Sequence, residues 1–584
     1  MSDRTTCSSK PCKILLSLNL LLIQGGLFFA LCDRVLAQIN APRTPIRFPL
    51  PPQQPTPIPV PQPLPSNDFR FPLPTIPAPE ERSNILGTIT VAKFQFIGNT
   101  AFSDKDLTAV TAPFIDRPLT FVELLQVEAA ITKLYTDAGY INSGAVIPAG
   151  QTLSKENAVI KVQIIEGSIE DIRVSVDGRL NPDYVRSRLA LATGKPFNQN
   201  RLLQALQLLQ LDPVVGTISA NLSAGSRPQS SILSVKVKEA DTLTGEIFLD
   251  NGRVESIGSF ERGLRITTDN LSGNADSLRV EYANTDGSNS VYGSYTLPVT
   301  PQNATIALSA QYNSTNIIQS PFDRLDITGY SLYYDITFRA PIIQTPGQEL
   351  ALGITAGREE NKTNILGRGF PLSTGANRQG ETALTVLRFF QDWTRRQSND
   401  VLALRSQFSF GIDALNATIN SEPPDGRFFD WLGQLQYVRL LAADTLLVVR
   451  SSLQLSADPL VPIEQFPIGG LYSVRGYRQD LLLTDNGVFA SVEARLPILR
   501  INEVKGLLQI VPFLDFGVGW NNGANPIPTP GQNTLMSAGL GLQYGMGGNF
   551  NARLDWGIPL IQIRLPGNIS SEQSIYFSVN YKFF

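Results

Sequence analysis

The sequence predicts a transmembrane β-barrel of about sixteen antiparallel strands, preceded by two small α/β modules. Three observations point there. From Thr242 to the C-terminus, segments of roughly ten residues alternate apolar and polar side chains, with Gly, Asn, Asp and Pro between them. Charges return on the polar face in strand after strand, which suits a wet lumen better than the dry core of a sandwich. The connections alternate long and short: those near 358–380, 413–430, 462–486 and 521–533 are long, whereas turns such as Ala442-Ala443-Asp444 are tight. Outer-membrane barrels show this asymmetry, with the long loops outside.

Composition narrows the function classes. A chain of 584 residues calls for several modules. The net charge of −3 argues against a nucleic-acid partner. Histidine is absent, which removes the commonest metal ligand and general base. The three cysteines, Cys7, Cys12 and Cys32, all lie near the start. No metal, cofactor or catalytic constellation is expected.

Residues 1–37 have the form of a secretory signal: basic Arg4, Lys10 and Lys13, an apolar run from Ile14 to Leu31, and a cut expected after Val35-Leu36-Ala37. Leu31 before Cys32 stands where lipidation needs a small residue, and Gln24-Gly25-Gly26 interrupts any spanning helix. Residues 38–84 are dense in proline, which predicts a periplasmic linker rather than a stalk or peptidoglycan-crossing arm.

The first module spans 85–167. Val91, Lys93 and Gln95 alternate with Phe94 and Phe96 in a strand. Ser103 caps a short helix, and Thr120-Phe121-Val122-Glu123 is a capping box before Leu124, Val127, Ile131 and Leu134 on one helical face. Gly139 suits the C-terminal cap, and strands follow at 143–147 and 158–165. A similar unit spans 168–240. Ile172, Val174 and Val176 alternate, Asn198 caps a helix carrying Leu202, Leu206 and Leu209, and two more strands close it. Two tandem modules indicate a binding arm.

In the barrel, 241–584, Leu278, Val280 and Tyr282 oppose Ser277, Arg279 and Glu281. Val488, Ala490, Val492, Ala494 and Leu496 oppose Ser491, Glu493 and Arg495. Tyr330, Leu332, Tyr334, Ile336 and Phe338 oppose Ser331, Asp335, Thr337 and Arg339. Trp393 and Trp520 suit the two interfaces with lipid. The final run Ile575, Phe577, Val579, Tyr581, Phe583 resembles the C-terminal signature of outer-membrane barrels, shifted by one because Phe584 follows. That signature implies recognition by barrel-assembly machinery.

Taken together, Leu119 to Pro148, Asp250-Asn251, Thr268-Asp269-Asn270-Leu271-Ser272-Gly273, Val474-Arg475-Gly476-Tyr477 and Phe513-Leu514-Asp515 resemble the two-partner secretion transporters of the haemolysin secretion/activation type. The modules resemble POTRA (polypeptide-transport-associated) domains. The resemblance implies export of one secreted partner exoprotein across the outer membrane, by a monomer whose POTRA domains meet the partner in the periplasm and whose long loop folds into the pore. Members often carry an N-terminal plugging helix, and none is evident before the proline-rich stretch. Two other functions stay open: a barrel-assembly factor of the same superfamily, favoured by more than two modules, and a passive solute porin, which needs no binding arm.

Within that frame, Arg475 on the loop 462–486 is expected to reach Asp515, with Gly476 allowing the bend, Tyr477 beside it and Glu493 a third member. In a partly wet pore such a pair is worth about 1 kcal/mol, so its value is positional. For capture, an extended partner adds a strand to a module edge, with Ala145, Val146 and Ile147 as candidates.

Overall fold

The computed structural model describes residues 88–151, 157–227, 229–563 and 572–584, so the expected signal peptide and linker, and with them the question of a plugging helix, lie outside the described residues. The first module runs β1 (Ile89–Ile97), α1 (Asp104–Thr111), α2 (Phe121–Asp137), β2 (Gly144–Val146) and β3 (Ala158–Ile165). Both helices open with reciprocal caps, Ser103 with Asp106 and Thr120 with Glu123. β3 is central, parallel to β1 and antiparallel to β2. Leu124, Val127, Ile131 and Tyr135 of α2 bury against that sheet. One expectation slips: a register shift between Val91 and Lys93 puts both Val91 and Phe94 in the core, where strict alternation separates them.

The second module runs β4 (Ser168–Asp177), α3 (Pro182–Ala190), α4 (Gln199–Gln210), β5 (Val215–Ala224) and β6 (Ser230–Glu239), with β6 parallel to β4 and antiparallel to β5. Its α3 is an addition to the sequence reading. Asn181 caps it and Pro182 opens it, but only Val185 and Leu189 are buried, too few to show a period.

The barrel strands are β7 (Leu243–Asp250), β8 (Glu261–Thr268), β9 (Ser277–Thr285), β10 (Ser288–Pro298), β11 (Thr305–Asn316), β12 (Ile327–Thr345), β13 (Gln348–Ile365) and β14 (Glu381–Arg396). They continue as β15 (Asp400–Gly411), β16 (Phe428–Ala442), β17 (Thr445–Ser456), β18 (Asn486–Ile501), β19 (Gly506–Trp520), β20 (Thr534–Met546), β21 (Phe550–Pro559) and β22 (Ile575–Lys582). The two-residue Arg368–Gly369 pairs inside the β13–β14 connection, which leaves sixteen wall strands in a closed antiparallel barrel. Closure comes where β22 pairs β7, from Ser578↔Asp250 to Lys582↔Glu246. A closed ladder leaves no unpaired edge to lipid.

The faces sort as the alternation requires. Val280, Tyr282, Tyr330, Tyr334, Ile336, Phe338 and Val492 are exposed on the outer wall, the surface a bilayer covers. Arg265, Glu281, Arg339 and Glu493 face the lumen, where Arg265 bridges Glu246 and Glu281. The second module docks on the turns opposite the long loops. Glu239 accepts the backbone amides of Arg179 and Leu180 and the side-chain amide of Asn270 (2.7 Å to Asn270). Asn181 N–H donates to the Gly273 carbonyl at 2.7 Å, and Arg188 Nε to Asn303 Oδ1 at 2.7 Å. The Thr268–Gly273 segment is therefore the joint between arm and barrel.

Candidate functional site

The connection between β17 and β18 folds back into the barrel. Its stem is a short hairpin, Phe466–Ile468 against Leu482–Thr484. Two ties hold its base: Glu464 meets Arg388 of β14 at 2.6 Å, and Asp485 accepts from Leu460 N, Gln465 Nε2, Asn522 N and Asn525 Nδ2. The β19–β20 loop and the base of the long loop are thus one unit.

Beyond the stem the chain turns through Gly469 and Gly470 and presents Val474-Arg475-Gly476-Tyr477 to the wall. Gly476 has φ +98°, a conformation that side chains disfavour. It lies flat on Gly557 of β21, where an added Cβ would come within 2.5 Å of Gly476 N. Gly476 and Tyr477 pair with Gln573 and Glu572 just before β22. The Tyr477 hydroxyl sits at 2.9 Å from the Met536 carbonyl and 2.7 Å from that of Ile561, and Tyr576 donates to the Tyr477 carbonyl.

Arg475 ends in a charge cluster. Its Nε and Nη2 donate to the two oxygens of Asp515 at 2.8 and 2.9 Å, and its backbone amide reaches Oδ2 at 3.1 Å. This is the forked geometry a guanidinium offers a carboxylate. Glu493 lies 3.2 Å and Asp555 3.5 Å from Nη1. Ser491 donates to Asp515 at 2.6 Å, and the guanidinium stands 3.5 Å over the Phe513 ring.

The structure thus brings Arg475, Gly476, Tyr477, Asp515 and Glu493 to one place. Glu493 is shared: Arg553 and Arg495 bind it at 2.8 Å each. The sequence reading missed Asp555, Arg553, Ser491 and Tyr576. The inward period of β18 and β21 held the signal for the first three, since each lies two residues from another polar inward position. The partly wet environment is corrected. Arg475 is 1% exposed and Asp515 0%, so the surface value of the pair is the wrong scale and the cost of breaking a buried pair applies.

The edge at Ala145, Val146 and Ile147 is also different from the expectation. Ala145 packs in the core, its amide donates to Thr132 Oγ1 at 3.1 Å, and the Ile147 amide donates to Glu128. Helix α2 therefore covers the outer rim of β2, and Val146 alone remains exposed. By contrast β5 is an edge strand that pairs only with β6; Val215 N–H bonds back to the Asp212 carbonyl, and among the described residues no side chain bonds the rest of its backbone.

A family model described as haemolysin secretion/activation protein ShlB/FhaC/HecB matches residues 229–544, and one described as POTRA domain, ShlB-type, matches 89–167. The outer membrane transporter CdiB of Dickeya dadantii is 22% identical over 427 residues, covering 71% of this chain and 74% of its own length. The heme/hemopexin transporter protein HuxB of Haemophilus influenzae is 19% identical over 477 residues, covering 78% and 80%. Among solved structures, CdiB from Escherichia coli superposes with a TM-score of 0.68 at 20% identity, covering 90% of this chain and 94% of that one. CdiB from Acinetobacter baumannii gives 0.61 at 19% identity, with both chains fully covered. These structural likenesses show the fold.

Proposed function

The chain belongs to the haemolysin secretion/activation family, and from that premise we propose how this outer-membrane transporter works. A partner exoprotein is met in the periplasm by the two N-terminal modules and leaves through the barrel. The second module, residues 168–240, serves as a further POTRA domain beside the one matched at 89–167. The partner adds a strand to the free rim of β5, which offers backbone amides and carbonyls without demanding one sequence.

The observation that carries the reading is the loop seated in the lumen with Arg475 buried against Asp515. Arg475 and Asp515 hold the loop in one closed position, with Glu493, Gly476 and Tyr477 fixing its tip. Passage of an unfolded chain requires the loop to leave that seat. A passive porin needs no receptor arm, and the two modules favour an exporter over an assembly factor. Deleting the gene and comparing secreted proteins tests this: an exporter loses one or very few. Loss of many outer-membrane barrels would instead favour the assembly factor, and altered solute uptake alone the porin.

A further inference from the structure

When the loop leaves, Asp515 loses its guanidinium while it still points into the lumen. Two nearby arginines are committed: Arg553 binds Glu493 and Asp555, and Arg495 binds Glu493. A third is not. Arg450 of β17 makes no ion pair among the described residues, its Nε has no hydrogen-bond partner, and its guanidinium rests 5.9 Å from the Phe489 ring centroid. Register places it in line with the vacated carboxylate. Arg450 pairs with Ser491 of β18, and Ser491 pairs with Asp515 of β19. Three inward side chains thus share one row, spanning two strand spacings, about 10 Å between the outer Cα atoms. The residue between them is a serine, too small to stand in the way.

We propose that Arg450 is a positioning residue for export: it takes over Asp515 when Arg475 withdraws, giving the open barrel its own ion pair. The inference rests on the reading that the loop leaves Asp515 during transport. In the closed barrel Arg450 is held in reserve beside Phe489. In the open barrel it crosses Ser491, and the row Arg450–Ser491–Asp515 closes into a pair on the wall. The lock then has two defined states, because the carboxylate has a guanidinium in each.

The test is a double-mutant cycle in the full-length protein, read by urea unfolding in detergent, with channel openings recorded in planar bilayers. Arg475→Ala removes the closed-state partner, and Arg450→Gln the open-state one. If each substitutes for the other at Asp515, the double variant unfolds at a lower urea concentration than the two single shifts predict together, and adding Asp515→Asn abolishes that excess. Arg450→Gln alone makes openings several-fold rarer. Additive shifts, or an excess that survives Asp515→Asn, overturn the proposal for Arg450. Unchanged secretion by Arg475→Ala would instead sink the reading of the lock itself, whatever the cycle shows.

Discussion

Replacing Asp515 by asparagine keeps the shape of the side chain and removes its charge. Arg475 would keep one carbonyl acceptor in place of a forked carboxylate, and Ser491 would face a changed partner. Removing one member of a buried ion pair costs about 3–5 kcal/mol. Glu493 and Asp555 still face the guanidinium at 3.2 and 3.5 Å, so the lower end applies. About 3 kcal/mol shifts the closed-to-released ratio by roughly a hundredfold. The sixteen-strand ladder is untouched, so the barrel should assemble and remain heat-modifiable. Trypsin added to intact cells reads the shift directly, since Arg475 and Arg478 lie in the loop and cleavage follows the open population when opening is fast. Clipping should rise by about two orders of magnitude, with secretion falling because the loop no longer keeps one seat. Clipping within threefold of the parent, together with normal secretion, would refute the lock.

Three further outcomes follow from the geometry. Gly557→Ala pushes a methyl into the backbone of Arg475 and Gly476, so it should speed loop clipping without altering any charge. Asn270→Ala leaves Glu239 short of a donor at the joint, costing about 1–3 kcal/mol, and should raise hydrogen exchange where the second module meets the barrel while exchange in the wall stays as it was. Glu166 in the first module carries a pH dependence. Burial pushes its carboxyl up, but donors from Thr100, Ala101 and Tyr135 outweigh that and hold it below its ordinary range. A lowered folded-state value stabilises the module above the unfolded carboxyl range near pH 4.3, and that share is lost as pH falls through the folded value. Glu166→Gln should therefore flatten the acid dependence of arm proteolysis; an unchanged acid profile counts against the assignment.

The outer features of this fold were open to sequence reasoning because they are periodic. Alternation on β9, β12 and β18 sorts lipid-facing from lumenal side chains without any contact information, and the two capping boxes mark helices by local hydrogen bonds alone. What stayed hidden depends on distances across the chain. Asp555 joins Arg475 from 80 positions away in the numbering, and nothing near Trp556 says that a loop tip will land there. The covered rim of β2 was missed because Thr132 and Glu128 are ordinary helix residues until the sheet packs beneath them. The bulge at Val91 broke a pattern that the alternation assumed to be unbroken.

If the loop is the releasable plug proposed above, the chemistry of its seat accounts for a hold that is firm and still reversible. An apolar tip would be held by roughly the same free energy per buried area whatever its neighbours did, and would have to expose that area to a wet channel on leaving. A guanidinium among Asp515, Glu493 and Asp555 behaves differently. While the loop fills the lumen the pair is dry, and separating it leaves uncompensated charges in a poor dielectric. On the proposed release, Gly476 lifts from Gly557, Tyr477 leaves its carbonyls and water reaches the withdrawing guanidinium, so its attraction to the wall carboxylates falls within the next few ångströms. Attraction that is strong only while every contact is made is cooperative by construction. It favours a fully seated or a fully released loop over anything between, which is what a channel needs if it is to stay sealed until its cargo arrives.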